Sequence, residues 1–357
     1  MVDVIFLDPG KTTLSRTKEL LNHLSASNLA IHNIKISEKN HLAYFNLALK
    51  FLLSLISRRK DNVIYVISFS AKPIGIFLVP FIPFLIFMRE RVIFDAGYPF
   101  NDIPNTPQLK RILMRICEVA LCIASKIVLW ESQEAALKFG YRFNENMTFF
   151  CLPSNKSNKS HEEKTKNYWP RHKNRKLNLL FRGNMNPESG IDDFLRYMTS
   201  QPVWHSGAVR LIIQGKNSTK LVRQIFIDDA NLTLINNFLP DKELSALIES
   251  ADIMIGQYGR KYSRLGTTLP HKYFEALSYD KPYLSPIYQP FNDLDPDIKQ
   301  LLKKIDHSMK KQSLCLAELT EFIEVWHNKK IANAQLQTFK KKNDSIVERI
   351  DAQLQRK

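Results

Sequence analysis

The segment between residues 253 and 285 contains the residues best suited to chemistry. An apolar run ends at Ile255, and the loop that follows combines glycines with cations, namely Gly256, Gly259, Gly266, Arg260, Lys261 and Arg264. A helix is predicted to begin near His271, with Lys272 and Glu275 in its first turns. Backbone amides at a helix N-terminus beside cations form an anion site that suits a diphosphate. The Glu275 carboxylate is then placed to accept hydrogen bonds from both hydroxyls of a ribose.

Short β-branched runs alternate with helical patterns along the chain. In the first half they are Val2–Leu7, Leu14–Leu24, Leu29–Ile36, Leu42–Ile56, Val63–Ser68, Val92–Phe94 and Ile127–Leu129. In the second half they are Leu177–Phe181, Ile191–Met198, Val209–Gln214, Leu232–Ile235, Lys242–Ser250 and Ile253–Ile255. This alternation is typical of parallel, doubly wound sheets. We therefore predict an α/β fold with two Rossmann-like doubly wound domains facing a cleft, the usual ligand site of open α/β folds.

A highly charged stretch with almost no apolar periodicity separates the two halves and predicts the domain limits. Residues 1–153 form the N-terminal domain and residues 154–176 the polar linker. Residues 177–313 form the C-terminal domain, and residues 314–357 form C-terminal helices. The length of 357 residues fits two domains of ordinary size.

Charge and cysteine content limit the partners and the compartment. The chain has 51 Lys and Arg against 35 Asp and Glu, a formal charge of +16, which predicts an anionic partner such as nucleic acid, lipid headgroups or a nucleotide diphosphate. Its four cysteines, Cys117, Cys122, Cys151 and Cys315, form no CxxC pair and accompany no histidine cluster at metal-ligand spacing. This pattern predicts a reducing compartment and no structural zinc.

Three stretches of the C-terminal half resemble one enzyme family. LPHKYFEALSYDKPYLS resembles the donor-site signature of the group-1, family-4-like GT-B glycosyltransferases, in which a Pro-x-Lys-x-x-Glu helix precedes a Gly-x-Pro turn. FRGNMNPESGIDDFL places Gly183 and Gly190 as that family does, and LIIQG followed by LTLINNFLPDKELSALIESADIMI resembles its strands and helix before the donor loop. The resemblance implies that Lys272 binds the diphosphate of a nucleotide-sugar, that Glu275 binds its ribose, and that the turn containing Leu239 packs by the base.

The chain departs from this family pattern at several positions. Asn184, Ser189, Thr267 and Asp280 stand where an Arg, a Lys, a carboxylate and a turn Gly are usual. Because the missing cations stabilise a leaving phosphate, we name Arg182, Arg260, Lys261 and Arg264 as candidate replacements. The predicted donor-binding residues are Gly183, Asn184, Leu239, Arg264, Gly266, Thr267, His271, Lys272 and Glu275. A solvated helix face and ordinary tight turns are the alternative.

The N-terminal half supplies candidates for the acceptor side. Gly10-Lys11-Thr12 ends like a P-loop, but Ile5 stands where its first glycine belongs, which excludes that motif. Lys11 and Arg16 are either turn residues or cations that face the cleft. Asp95 is expected just past a strand end, where a carboxylate either orients or deprotonates an acceptor hydroxyl or caps a turn. We predict Asp95 and Glu275 as the catalytic residues.

Two apolar stretches predict contact with an anionic membrane. Ile74–Met88 has 15 residues without a charge, fewer than the roughly 20 of a spanning helix, and Pro80 and Pro83 interrupt it. Leu47–Lys60 combines an apolar face with a basic end, as helices lying on anionic lipid do. Burial of both stretches in the core is the alternative. We predict a cytoplasmic protein that is peripheral on the inner face of the membrane.

Together these features predict a metal-independent, hexosyltransferase-type glycosyltransferase of surface polysaccharide biosynthesis. It moves a sugar from a nucleotide-diphosphate-sugar donor to a lipid-linked or oligosaccharide acceptor and uses no cofactor. Asp293-Leu294-Asp295 resembles a metal motif of another glycosyltransferase fold, but its position before a helix favours N-capping. The alternatives are a GT-B-shaped sugar-nucleotide epimerase and a basic nucleic-acid-binding protein. We predict no nucleic-acid partner, because no helix-turn-helix or RNA-binding signature is present.

Overall fold

The computed structural model divides the chain into two compact units. Unit 1 comprises Met1–Leu152 with Phe339–Lys357, and unit 2 comprises Pro153–Thr338. The structure describes residues 3–8, 15–26, 30–35, 41–57, 63–97, 107–150, 152, 175–183, 189–215, 230–259, 269–286 and 294–355. Residues 339–357 therefore belong to the N-terminal unit, which the predicted domain limits do not include. The predicted limits at 153/154 and 176/177 stay predictions, because most of the linker lies outside the described residues.

Unit 1 is built on a parallel sheet of six strands in the order β2-β1-β3-β4-β5-β6. The strands are β1 (Asp3–Asp8), β2 (Ala30–Lys35), β3 (Val63–Ile67), β4 (Val92–Gly97), β5 (Ile127–Trp130) and β6 (Glu145–Thr148). The helices are α1 (Ser15–Ala26), α2 (His41–Ser57), α3 (Gly75–Leu78), α4 (Ile82–Met88), α5 (Gln108–Ile123) and α6 (Gln133–Phe139). The predicted alternation of strands and helices is confirmed here.

Helices cover both faces of this sheet, because alternate strand residues enter two separate cores. Ile5 and Tyr65 pack with residues of α2, α3, α4, α5 and α6 on one face. Phe6 and Val66 pack on the other face with α1 and with the end of the last helix. Burial on both faces explains why these strands are continuous apolar runs rather than alternating ones.

The apolar stretch between β3 and β4 is one irregular helical segment. Short 3₁₀ turns at Phe69–Ile74, Val79–Phe81 and Arg89–Arg91 flank α3 and α4. Prolines break the regular hydrogen bonding, which accounts for the short pieces. By length and composition alone, the 22 residues Ser70–Arg91 suffice to cross a membrane, and 33% of their most apolar window is buried within the protein. The segment exceeds the 15 residues on which the non-spanning prediction was based, so length no longer supports that prediction.

Unit 2 contains a second parallel sheet, of five strands in the order β11-β10-β7-β8-β9. Its strands are β7 (Leu177–Arg182), β8 (Val209–Gln214), β9 (Leu232–Ile235), β10 (Ile253–Ile255) and β11 (Tyr283–Leu284). Its helices are α7 (Ile191–Thr199), α8 (Pro202–His205), α9 (Asp241–Ser250), α10 (His271–Ser278), α11 (Pro296–Lys310) and α12 (Leu316–Asn328). Strand order reverses between β7 and β10, and the carboxyl ends of strands at such a point are where open α/β sheets bind ligands.

The last helix, α13 (Ile331–Gln355), begins in unit 2 and ends in unit 1. Its Asn343 is fully buried and makes two hydrogen bonds to the backbone of Phe150, accepting from the amide at 2.9 Å and donating to the carbonyl at 2.8 Å. The Phe150 and Phe339 rings also pack with their centroids 4.2 Å apart. These contacts fasten the end of the chain to the residues just after β6.

Candidate functional site

The candidate site lies at the carboxyl edge of the unit 2 sheet, where the strand order reverses. The turn before α7 contacts the loop after β10, since the Tyr258 amide donates to the Ser189 carbonyl at 2.9 Å. Gly190 has φ +58°, and a Cβ there would lie 2.0 Å from the Gly259 nitrogen. Only glycine permits this approach. The glycines of two separate motifs therefore meet in one place.

Arg182 and Glu275 form an ion pair across this edge. Arg182 ends β7 and Glu275 lies on α10, yet one Arg182 nitrogen, Nη1, is 2.7 Å from both carboxylate oxygens. The two side chains are 28% and 22% exposed, so the pair can be reached by a ligand. Each carboxylate oxygen keeps lone pairs beyond the one used by Arg182. Glu275 is thus oriented by Arg182 and still able to accept hydrogen bonds.

Lys272 lies beside this pair and is half-buried. Its Nζ is 4.1 Å from the centre of the Phe181 ring. The Lys272 pKa is lowered to about 7, mainly because burial disfavours the charged form; the neighbouring Arg182 adds to this shift and Glu275 opposes it. Gly183, with φ +127°, makes room for this lysine, because a Cβ there would lie 2.9 Å from Nζ. An anion at this position would favour the charged lysine.

The ends of β8 and β9 complete the described part of the edge. Gln214 ends β8 and donates from Nε2 to the Asn237 carbonyl at 2.6 Å, and the Gly183 amide donates to the Gln214 carbonyl at 2.9 Å. The turn after β9 is thereby held beside the Arg182 strand. Phe238 in this turn is 62% exposed, and Leu239 is half-buried. The turn offers an apolar surface near the charged group.

Comparison with known proteins identifies the fold. No protein-family model matches the chain, and no curated protein matches it significantly. The chain is similar to the N-terminal domain of trehalose-6-phosphate phosphatase from Candida albicans, at 13% identity and TM-score 0.55, covering 98% of this chain and 96% of that one. It is similar to an alpha,alpha-trehalose-phosphate synthase (UDP-forming) from Burkholderia vietnamiensis, at 10% identity and TM-score 0.58, covering 99% and 100%. The chain has the GT-B fold.

A further solved structure supports the same assignment. Anabaena HepE in complex with UDP matches at 10% identity and TM-score 0.58, covering 99% of this chain and all of that one. The two Rossmann-like units of this GT-B chain confirm the predicted fold class. At these identities the likeness concerns the fold, so the family-4-like assignment within GT-B stays a prediction.

The structure brings together only some of the predicted donor residues. Gly183, Lys272 and Glu275 meet at the edge, and α10 begins at His271 as predicted. His271 is exposed at the helix start. The predicted residues that lie outside the described part are Asn184, Arg260, Lys261, Arg264, Gly266, Thr267 and Lys11. Arg16 lies on α1, where only the backbone is described. The roles predicted for all of these residues, including the acceptor-side roles of Lys11 and Arg16, stay predictions.

Asp95 is not where the sequence placed it. It was expected just past a strand ending at Phe94, but β4 continues to Gly97, and Asp95 lies inside the strand with 0% exposure. A fully buried carboxylate reaches an acceptor only if the surrounding structure opens. Its environment is charged, since Asp95 is one of the groups that act on the fully buried Lys72. This geometry gives the catalytic assignment no support, and that assignment stays a prediction.

The acidic pair before α11 was predicted to cap that helix. Asp295 caps α11, accepting a hydrogen bond from the Asp297 amide at 2.9 Å, which confirms the N-capping prediction. Asp293 lies outside the described residues.

Lys72 and Glu118 are charged residues that the sequence did not identify as a pair. They form a fully buried pair with Nζ and Oε2 3.6 Å apart. The available signal was a lysine and a glutamate directly flanked by apolar residues, in SAKPIGIF and CEVALCI.

Proposed function

We propose that this protein is a glycosyltransferase that transfers a sugar from a nucleotide-diphosphate-sugar to a lipid-linked or oligosaccharide acceptor. One observation carries the proposal. Two cations, Arg182 and Lys272, and the ribose-binding candidate Glu275 converge at the strand-reversal point of the unit 2 sheet. Support comes from the GT-B neighbours, one of which is described with bound UDP-glucose and one as UDP-forming.

In the proposed reaction, the acceptor hydroxyl oxygen forms a bond to the anomeric carbon of the donor sugar. The bond between that carbon and the terminal phosphate oxygen breaks, the nucleoside diphosphate leaves, and the hydroxyl proton passes to a base or to solvent. Negative charge accumulates on the leaving phosphate. Cations fixed next to it stabilise that charge more in the transition state than in the ground state.

Lys272 and Arg182 are the described cations suited to this task. Lys272 is half-buried, and an electrostatic interaction is stronger where burial reduces contact with water. Arg182 is held by Glu275, so its guanidinium stays beside the lysine without the diphosphate. Glu275 uses its remaining lone pairs for the ribose hydroxyls. In this assignment Arg182 takes the place of the usual Arg and Lys that Asn184 and Ser189 replace.

We propose further that the enzyme is cytoplasmic and works on the inner face of the membrane in surface polysaccharide biosynthesis. The outward side of α2 supports this, since Leu42, Leu53 and Ile56 are each more than half exposed. A lipid-linked acceptor is confined to that surface, so an enzyme bound there meets its substrate at high local concentration. We also propose that transfer is of the hexosyl type and needs no divalent metal, because the site supplies its own cations.

The decisive experiment is calorimetric binding of UDP, GDP, ADP and UDP-glucose in the presence of EDTA, at low and moderate salt. We expect one nucleoside diphosphate to bind without metal. When an acceptor extract is added to the corresponding nucleotide-sugar, we expect the same nucleoside diphosphate to be formed as a product. Binding that strictly requires Mg²⁺ or Mn²⁺ would overturn the metal-independent site. Conversion of the donor sugar without any acceptor would indicate an epimerase. Salt-sensitive DNA binding without nucleotide binding would indicate a nucleic-acid-binding protein.

A further inference from the structure

Three helical elements on one face of unit 1 expose a concentration of apolar side chains. Of the large hydrophobic residues that are exposed in the described part of the chain, 13 lie on α2, on the 69–91 segment or on α5, and 4 lie elsewhere. The 13 are Leu42, Phe45, Leu49, Leu53, Ile56, Val79, Phe81, Ile86, Phe87, Leu109, Ile112, Leu113 and Ile116. We call them the three-helix patch. Soluble surfaces rarely gather apolar residues in this way without an interaction to serve.

Neighbouring elements form the patch, so its members are not scattered. α3 contacts both α2 and α5, and α4 also contacts α5. The rings of Phe45 on α2 and Phe77 on α3 pack edge to face with their centroids 5.7 Å apart. The exposed side chains of α2 recur at intervals of three and four residues, which places them on one side of the helix. Leu47, Phe51 and Leu55 occupy its other side, in the core.

The third element, α5, was absent from the sequence-based membrane prediction. Its first half exposes Leu109 by 70% and Ile112 by 50%, next to the exposed cations Lys110 and Arg111. Its second half is buried against the sheet. With 16 residues, α5 is about 24 Å long and cannot cross a hydrocarbon core of about 30 Å. Such a helix can lie in the plane of a membrane interface.

Among the described residues of these three elements, the exposed charged side chains without an ion pair are cations. Lys50 on α2 is exposed, as are Lys110 and Arg111 on α5, and none of them pairs with a carboxylate among the described residues. Within the three elements, the described carboxylates are Glu118, which is buried, and Glu90, whose Oε1 lies 3.1 Å from Lys126 Nζ. The patch therefore presents apolar side chains with unneutralised cations beside them, which complements an anionic surface.

The elements that carry the patch are locked together beneath it. A Cβ on Gly75 of α3 would lie 2.3 Å from the Cys117 carbonyl oxygen of α5, so the two backbones are in direct contact. The buried Lys72–Glu118 pair joins the preceding 3₁₀ turn of the 69–91 segment to α5. The patch is thus a preformed surface, and its docking does not need to order a flexible segment.

We propose that the three-helix patch docks into an anionic lipid bilayer, with α5 inserted at the interface beside α2 and the 69–91 segment. The inference rests on the proposed membrane-confined acceptor and adds a prediction to it, because apolar insertion persists at salt concentrations that screen the cations. A second copy of the chain is a weaker fit. A symmetric dimer through this face would bring the cations of both copies together.

The test is flotation of the full chain with phosphatidylcholine vesicles, with or without phosphatidylglycerol, at low and high salt. Three double variants accompany the wild type: Leu109→Ser/Ile112→Ser in the patch, Lys110→Gln/Arg111→Gln beside it, and Leu137→Ser/Leu316→Ser as the matched control outside it. We expect the patch variant to lose at least about tenfold in partitioning at both salt concentrations. The charge variant loses binding mainly at low salt, and the control binds like the wild type.

Nucleotide binding and oligomeric state, measured on the same samples, separate the outcomes. Salt-resistant flotation without nucleotide binding would support the patch and count against the proposed function. Equal flotation of the patch variant and the wild type would overturn the docking proposal even if nucleotide binds normally. So would the absence of flotation on any vesicle, or a wild-type dimer that the patch variant dissociates.

Discussion

Each Rossmann-like unit contains a lysine, a glutamate and another charged residue in one small cluster, but the two clusters differ in access to solvent. In unit 2, the Arg182 and Glu275 side chains around Lys272 are 28% and 22% exposed. In unit 1, Lys72, Glu118 and Asp95 are all at 0%. The first cluster stands at the edge of a sheet, and the second lies under helices that cover one.

This difference assigns two roles to the same residue types. Buried charges must be paired, because removing one partner leaves the other without solvent or a counterion. The Lys72 cluster therefore stabilises the packing of the 69–91 segment against α5, and burial lowers the Lys72 pKa. The Lys272 cluster has an open side that an anionic ligand can occupy. Four predictions test the contrast.

The largest expected effect is on folding. Glu118→Gln leaves Lys72 buried without its partner carboxylate and should lower the free energy of unfolding by about 3–5 kcal/mol. Urea denaturation followed by circular dichroism measures the loss. The triple variant Lys72→Met/Asp95→Asn/Glu118→Leu removes all three buried charges of the cluster and should be clearly more stable than the single variant. If the two variants are equally stable, the pair does not act as described.

The second effect is on nucleotide binding. Glu275→Ala removes a carboxylate that can accept charged hydrogen bonds, worth about 1.5–3 kcal/mol or roughly 10-fold to more than 100-fold in affinity, while the free energy of unfolding changes little. Glu321→Ala is the matched control, because Glu321 is a half-exposed, ion-paired helical carboxylate on α12. Calorimetry with the nucleotide that binds the wild type provides the measurement. Unchanged affinity in Glu275→Ala would refute the donor-site assignment.

The third effect compares two glycines with positive φ. Gly183→Ala places a methyl group against Lys272, whereas a Cβ on Gly207, with φ +68°, has nothing nearer than 3.9 Å. Both variants should lose about 1–2 kcal/mol of stability from backbone strain. Only Gly183→Ala should also weaken nucleotide binding, by about tenfold, because it displaces the lysine. Equal nucleotide affinity in the two variants would separate Lys272 from the binding site.

The smallest effect is on the pH dependence of binding. The Lys272 pKa is about 7 in the free protein, and a bound diphosphate favours the charged lysine, so binding takes up a proton above this pH. The affinity for UDP-glucose, whose diphosphate stays ionised, should therefore fall several-fold between about pH 7 and pH 9. Lys272→Met should bind more weakly and with a flat profile. A wild-type profile as flat as that of the variant would contradict the assigned role of Lys272.

The strands of unit 2 were predictable because their physical signals are local. Val209–Gln214, Leu232–Ile235 and Ile253–Ile255 were predicted with the bounds that the structure has. Each is a short β-branched or apolar run that a polar residue or a glycine ends, as is typical of strands. The start of α10 at His271 was equally local, since Pro270 precedes it.

The pairings inside the site were not predictable, because they join distant residues. Arg182 and Glu275 are 93 positions apart, and nothing in either stretch indicates that the two side chains meet. The exposed side of α5 was not predicted, because its hydrophobic residues alone do not tell which side packs against the sheet. The error at Asp95 arose from a strand end, where Ala96 and Gly97 do not resemble β-sheet residues but continue β4.

The contact between Asn343 and Phe150 has a consequence for biosynthesis. These residues are separated by 193 positions, and all of unit 2 lies between them. On a translating ribosome, the unit 1 sheet emerges first. The residues just after β6 lack their contacts with α13 until that helix has been made. Contacts of such long sequence separation form slowly because the intervening chain must first be closed into a loop. The first unit to be synthesised is therefore completed last, and shortening the chain within α13 would leave its early-folded sheet open to aggregation.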